Sequence, residues 1–471
     1  MIAVTALLAS NYARHASAQG SPEQFQVQTD PALNAKAPVI ATLPLPAGFI
    51  SEGWPPLWFQ GGEVAVIAHR RTRVFVLGFG GPGFQQQQVL APGEGPASRS
   101  TFVFDLAENR KQTMLALALG HLDDNHLDVT VQNVSDNQPP HRVAHIEGSF
   151  AAVGLSWIDS ATLALGVIPQ PMTPTPTATP DSDETPTPSP TASPTPAETH
   201  LDAGLYAVSI HRDAPIRKIR LACPRPMDFT HTVWSPDGRR AVVDSGAPPP
   251  MLIDRISTEC RSLNIPAGQR FRLIGWSPDS AHFLYALSNS GGYLGGLTGF
   301  FEYDPDSGQS QTIAAPAAAA VYIQGGDIAA LGSRKLNPRL LASTPDQLLS
   351  AELALIDPRM SQITIAPLGF QTPATSLLGG ALAYSDLSEE LAVQLFFPDP
   401  AGSVPLIVSF FPQTRKVKPI VTGKPGSVLR MAWSPIGDLL AVLNVSATPP
   451  VLTILSPPLT GQPPAGNAPA Q

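Results

Sequence analysis

Charge is scarce in this chain. Asp, Glu, Lys and Arg make up 14% of its 471 residues, against about a quarter in an ordinary globular protein. The formal balance is −8. The densest basic spots are His69, Arg70, Arg71 and Arg73, and the group Arg415, Lys416 and Lys418. Neither is a continuous stripe, and phosphate neutralisation needs one, so no nucleic-acid partner is expected. Long apolar runs are missing as well. Past the N-terminus no stretch reaches the roughly eighteen apolar residues of a spanning helix, so no internal membrane span is expected.

Cysteine is nearly absent. Cys223 and Cys260 are the only two. Two thiols cannot complete a structural zinc site alone. They read either as one disulfide or as two free buried thiols, and both readings stay open. Catalytic signatures are also lacking: no Gly-x-Ser-x-Gly elbow, no phosphate-cradling Gly loop and no His-Glu-x-x-His. The sequence therefore assigns no catalytic, cofactor-binding or metal-ligating residue, and no cofactor.

Proline, in contrast, is abundant. The chain has 52 Pro and 38 Gly among short apolar runs, which favours many turns over helices. Residues 1–18 are apolar or small, and Ala16-Ser17-Ala18 before Gln19 has the form of a signal-peptidase site. An export signal is expected there, with its positive region upstream of Met1. The protein is therefore expected outside the cytoplasm: secreted, periplasmic or at the cell surface.

One phrase returns three times. VWSPDGRRAVV (233–243) is followed by GWSPDSAHFLYAL (275–287) and AWSPIGDLLAVL (432–443). Pro236 presets the first corner of a type I turn, Asp237 suits the second, and Gly238 can take the positive φ that closes it. An apolar run on each side makes this a hairpin.

Aligning the chain on an aromatic, a turn and an apolar strand gives eight units, at Trp58, Phe104, Trp157, Trp234, Trp276, Tyr322, Tyr384 and Trp433. Their spacing, mostly about 40–60 residues, suits a four-stranded propeller blade. The second half of the unit repeats too, with Asp254, Asp304 and Asp357 each leading a polar turn. Each unit is thus an antiparallel meander of strands A to D.

The Trp-Ser-Pro-Asp-Gly turn at 234–238, nearly repeated at 276–280 and partly at 433–437, resembles the WD40-like PD40 repeat of TolB-type β-propellers. The resemblance spans about 57–456. It implies an all-β propeller but no particular function, because propellers carry many. Eight blades are expected, with seven if one weak unit is not a full blade. Strand A would lie nearest the channel, its aromatic wedged between adjacent blades as packing.

The propeller is expected over 38–456, followed by a disordered tail at 457–471. The last unit lacks a D strand, and Pro38–Leu45 is a spare one. It should complete the last blade and close the ring. Residues 169–199, rich in Pro, Thr and Ser, read as a disordered insertion between strands B and C of the third blade. It is either an inert insertion or a sugar-carrying or wall-spanning spacer.

The remaining long loops are also mostly B–C loops, at 245–250, 288–299, 332–352 and 397–404. They would all emerge on one face, where a rigid scaffold concentrates function. Tyr293, Arg334, Lys335 and Arg339 are the binding candidates. HLDDNHLD (121–128) is tempting as a metal cluster but falls where a polar turn between strands is expected. DPDSG (304–308) likewise fits a C–D turn.

The leading functional expectation is a monomeric, non-catalytic binding module. It would present its B–C loops and channel mouth to a protein, peptide or glycan partner. The alternatives are a polysaccharide lyase or hydrolase with its site at the channel mouth, and a structural component of the cell envelope.

Overall fold

The computed structural model describes residues 33–45, 56–59, 64–68, 73–79, 84–89, 101–134, 140–170 and 201–457, apart from 212–213, 224–226, 245–248, 290–296, 315–316, 337–339, 341–342, 387 and 436. The expected export signal, almost all of the Pro/Thr/Ser insertion and nearly the whole C-terminal tail lie outside them, as do Tyr293 and Arg339.

The fold is a β-propeller of antiparallel sheets. The described strands make seven four-stranded sheets and one five-stranded sheet. In chain order, strands A to D of sheet 1 are Leu57–Trp58, Val64–Ala68, Arg73–Phe79 and Phe84–Val89. Sheet 2 has Thr101–Glu108, Met114–His121, His126–Asn133 and His141–Glu147; sheet 3 has Phe150–Asp159, Thr162–Pro169, Gly204–Ser209 and Arg217–Lys218. Sheet 4 has Thr232–Trp234, Arg240–Val243, Met251–Asp254 and Cys260–Ser262; sheet 5 has Gln269–Trp276, Phe283–Asn289, Leu297–Asp304 and Gln309–Ala314. Sheet 6 has Ala317–Tyr322, Ile328–Gly332, Leu348–Asp357 and Gln362–Pro373; sheet 7 has Ala381–Ser385, Glu390–Phe397, Val404–Phe411 and Lys416–Gly423. Sheet 8 has Leu429–Trp433, Leu440–Asn444 and Val451–Leu455 from the C-terminal end.

Its fourth strand is Val39–Pro44, antiparallel to Val451–Leu455 with Thr42 opposite Thr453. The N-terminal segment thus supplies the missing D strand. The same segment covers a second edge. Leu33–Ala35 pairs with the outer strand of sheet 7, Asn34 opposite Thr422. A strand before residue 38 was not expected from LNA, which is too short and too polar to announce one.

The buried apolar residues fall into eight clusters, each shared by one sheet and the next. One of them joins Leu443 and Ile454 of sheet 8 to Trp58 and Val64 of sheet 1. Both faces of a sheet are therefore packed. This is why B strands such as Glu390–Phe397 read as nearly continuous apolar runs rather than alternating ones.

The recurring turn is built the same way three times. Ser235 Oγ accepts from the Arg240 N–H (3.0 Å) and lies 2.6 Å from Asp237 Oδ1. Ser277 repeats this with the His282 N–H (2.9 Å) and Asp279 (2.6 Å). Ser434 repeats it with the Leu439 N–H (3.2 Å) and Asp438 (2.8 Å). Gly238 and Gly437 take the positive φ expected at the closing position, and Ser280 does so in place of glycine. The C–D turns share a second device. Asp254, Asp304 and Asp357 each accept two backbone N–H groups from the residues two and three positions on. These are the side-chain-capped turns that Asp favours.

The aromatics tie sheet to sheet. The indole N–H groups of Trp58, Trp157, Trp276 and Trp433 donate to the carbonyls of Ala432, Ala107, Val233 and Ala383, at 2.9, 3.0, 3.0 and 3.1 Å. Every acceptor lies on strand A of the preceding sheet. Tyr322 donates to Glu302 of sheet 5 (3.0 Å), and the Tyr384 hydroxyl accepts from the Gln324 N–H of sheet 6 (3.1 Å). Each of these six aromatics therefore combines apolar area with a directional bond, the use to which Trp and Tyr are suited.

Candidate functional site

The B–C loops emerge on one face of the ring, and Arg334 and Lys335 lie there in sheet 6. The loop is shorter than 332–352. Strand B runs to Gly332 and strand C begins at Leu348. The reason is alternation: Leu349, Ala351 and Leu353 are buried while Leu348 and Ser350 are exposed, so the ladder continues past the expected loop end.

Arg334 is fixed to the scaffold. Its N–H and its guanidinium both donate to Glu352, at 2.9 Å to Oε2 and 3.0 Å to Oε1. Burial opposes ionisation of Glu352, but these bonds from Arg334 hold its carboxyl below the ordinary value. The Arg334 side chain is nevertheless 73% exposed. Leu336, two residues on, is buried and anchors the loop from below. The result is a loop with a rigid base and an accessible cationic edge.

On the opposite face, a cavity of about 290 Å³ is lined by Arg239, Arg240, Asp254, Arg261 and Asp306 among others. Two of its arginines are already paired with carboxylates. Arg239 donates to Asp254 at 3.0 Å, and Arg240 pairs with both Asp254 and Asp306. This network braces the turns of sheets 4 and 5.

The turn at 122–125 in sheet 2 is a polar turn between strands, and the residues flanking it converge. His121 ends strand B, and His126 and Asp128 begin strand C. Strand D brings His145 opposite Asp128 and Glu147 opposite His126. Opposed residues share a sheet face, as do residues two apart on a strand. All five side chains therefore stand on one face, while Leu127 and Ile146 point to the other and are fully buried.

His121 Nε2 and His126 Nε2 lie 3.6 and 3.7 Å from Asp128 Oδ2. The two imidazoles stack, with ring centroids 4.1 Å apart. The other Asp128 oxygen, Oδ1, meets His145 Nδ1 at 2.7 Å, and His145 Nε2 meets Glu147 at 2.9 Å. Burial and the neighbouring His126 push His121 below the ordinary histidine value. The hydrogen bond to Asp128 instead raises His145, against the effect of burial. Reading the sequence found HLDDNHLD but not His145 or Glu147. The available signal was the period-two spacing of His126-x-Asp128 and His145-x-Glu147, which puts each pair on one face.

Cys223 and Cys260 form a disulfide with a Cα–Cα distance of 4.8 Å. It ties the segment entering sheet 4 to that sheet's outer strand, beside the parallel bridge between Ala222 and Glu259. Among the described residues no helix is long and apolar enough to cross a membrane.

No family model matches the chain, and no curated protein matches it. Among solved structures it is similar to a chain from a structural and mechanistic analysis of two prolyl endopeptidases, at 12% identity and a TM-score of 0.46. That match covers 83% of this chain and 54% of the other, so the chain spans about half its length. It is also similar to the β-propeller domain of Myceliophteria thermophila Cps50 (Swd1), at 10% identity and a TM-score of 0.40, over 88% of this chain and 99% of that one.

Proposed function

We propose that the protein is an eight-bladed, extracytoplasmic, non-catalytic scaffold that uses its B–C face to bind a protein, peptide or glycan. The observation that carries this reading is the loop of sheet 6. Arg334 is locked to Glu352 by its backbone and its guanidinium, yet remains largely exposed. A side chain held in place before binding loses less entropy when a partner arrives. The Cys223–Cys260 disulfide supports the extracytoplasmic part of the reading, because such bonds persist in oxidising compartments. The signal-like residues 1–18 support it independently.

The test is a face-specific capture experiment on envelope and secreted extracts. K335E changes the sign of charge beside the anchored Arg334. I256E changes an exposed residue on the C–D turn of sheet 4, on the other face. A partner retained by the wild type and I256E but lost by K335E supports the proposal. A partner lost only by I256E moves the binding surface to the opposite face. Absence of any partner, with hydrolysis or eliminative cleavage of a polysaccharide, favours an enzyme instead.

A further inference from the structure

We propose that His121, His126 and Asp128 bind one divalent transition-metal ion of the Zn²⁺ class. Among the described residues they are the one group of three potential ligands whose donor atoms all lie within 4.8 Å of one another. A tetrahedral ion with bonds of about 2.0–2.1 Å holds its ligands about 3.3 Å apart. The two histidine–aspartate separations, 3.6 and 3.7 Å, stand within a few tenths of an ångström of that spacing. The remaining histidine–histidine edge is no longer than 4.8 Å.

The atoms divide cleanly into those that would bind and those that are already held. His121 Nδ1 is 3.1 Å from the buried Thr101 hydroxyl, which leaves Nε2 as the free donor. That Nε2 is buried and has no hydrogen-bond partner among the described residues, a costly state for a polar atom. Asp128 divides in the same way. Oδ1 is occupied by His145 Nδ1 at 2.7 Å and by Arg142 at 3.5 Å, and Oδ2 is left facing the two Nε2 atoms. His145 in turn contacts Glu147. Metal-binding residues are commonly oriented by such outer hydrogen bonds. The Arg142 guanidinium addresses the outer oxygen.

The donor set also selects the ion. Ca²⁺ and Mg²⁺ want six or more oxygens, whereas two imidazoles and one carboxylate suit zinc and its neighbours. Three protein ligands leave a fourth position open to water or another ligand. The site sits at the B–C end of sheet 2, on the face proposed above for binding, but its existence does not depend on that reading.

Full-length protein is stripped with a chelator and titrated calorimetrically with Zn²⁺, and in parallel with Co²⁺ while following ligand-field absorption. The wild type should take up one ion per chain, with Co²⁺ bands of a low-coordinate nitrogen and oxygen site. H126A and D128N should each weaken binding by at least about 100-fold, and H145A by about 10- to 100-fold with unchanged stoichiometry. H231A, at an exposed histidine just before strand A of sheet 4, should bind like the wild type. D128N keeps the volume and polarity of Asp128, so it carries the test if H126A fails to fold. No uptake by the wild type would overturn the proposal, as would equal affinity in D128N, or Co²⁺ absorption of a purely aqueous ion.

Discussion

The indole N–H of Trp433 donates to the carbonyl of Ala383 at 3.1 Å, from strand A of sheet 8 to strand A of sheet 7. Its counterpart Trp234 is equally buried, but its Nε1 finds no acceptor among the described residues. The same repeat position therefore plays two roles. W433F keeps an aromatic ring but removes the donor with part of the indole, and should cost about 1 kcal/mol for the bond on top of the loss of packing. W234F loses the same packing but removes an unsatisfied polar atom, and should cost about 1 kcal/mol less than W433F. Denaturant midpoints of the two variants should therefore move apart, and equal losses would show that the indole bond contributes nothing.

Two glycines face each other in sheet 3. Gly154 is opposite Gly166, and together they admit the backbone of Phe229 and Thr230. A Cβ on Gly154 would stand 1.7 Å from the Thr230 carbonyl oxygen, and one on Gly166 would stand 2.2 Å from that of Phe229. Neither obstacle is a flexible side chain. G154A and G166A should each destabilise by about 1–3 kcal/mol or more through overpacking. By contrast G275A, where a Cβ meets nothing within 4 Å, should change the thermal midpoint little.

The repeat was legible in the sequence because its logic is local. Ser235, Asp237, Gly238 and Arg240 complete their bonds within six residues, so the turn can be recognised without knowing what lies beside it. The eight aromatics were legible for a related reason, since each directly precedes such a turn or strand. The full cluster around Asp128 was not. His145 lies on the strand after the one that carries His126, and only the register of Asp128 against His145 brings it in. The length of the sheet 6 loop was misjudged because strand C there carries polar residues on one face, which resemble loop residues until the alternation with Leu349, Ala351 and Leu353 is noticed. Tyr293 and Arg339 stay outside the described residues, and Arg334 owes its fixed position to Glu352, eighteen residues away.

The disulfide should matter to stability as well as to location. It closes a separation of 37 residues, for which the chain-entropy account gives about 3–4 kcal/mol. Reductant should lower the thermal midpoint of the wild type. The double variant C223S/C260S should start at that lowered midpoint and respond no further to reductant. A wild type indifferent to reductant would mean that the bond is not formed in solution.

A buried carboxyl gives the protein a predictable pH dependence. Glu390 opens strand B of sheet 7 and is fully buried. Burial pushes its pKa up to about 7, against the smaller pull of the Ser409 hydroxyl and of Lys418. The folded chain therefore holds this proton more tightly than the unfolded chain, whose carboxyl titrates near 4.5. Between those values the folded state binds more protons, so stability falls as pH rises through the window. The penalty is complete above about pH 7 and is of order 3 kcal/mol. Glu108, raised to about 7 by burial, adds a slope of the same sign. E390Q removes only the first contribution. Relative to the wild type it should be more stable at about pH 8, and the advantage should shrink to nothing near pH 4. Urea unfolding at a series of pH values measures this directly. An advantage independent of pH would place the benefit of the substitution in packing rather than in the ionisation of Glu390.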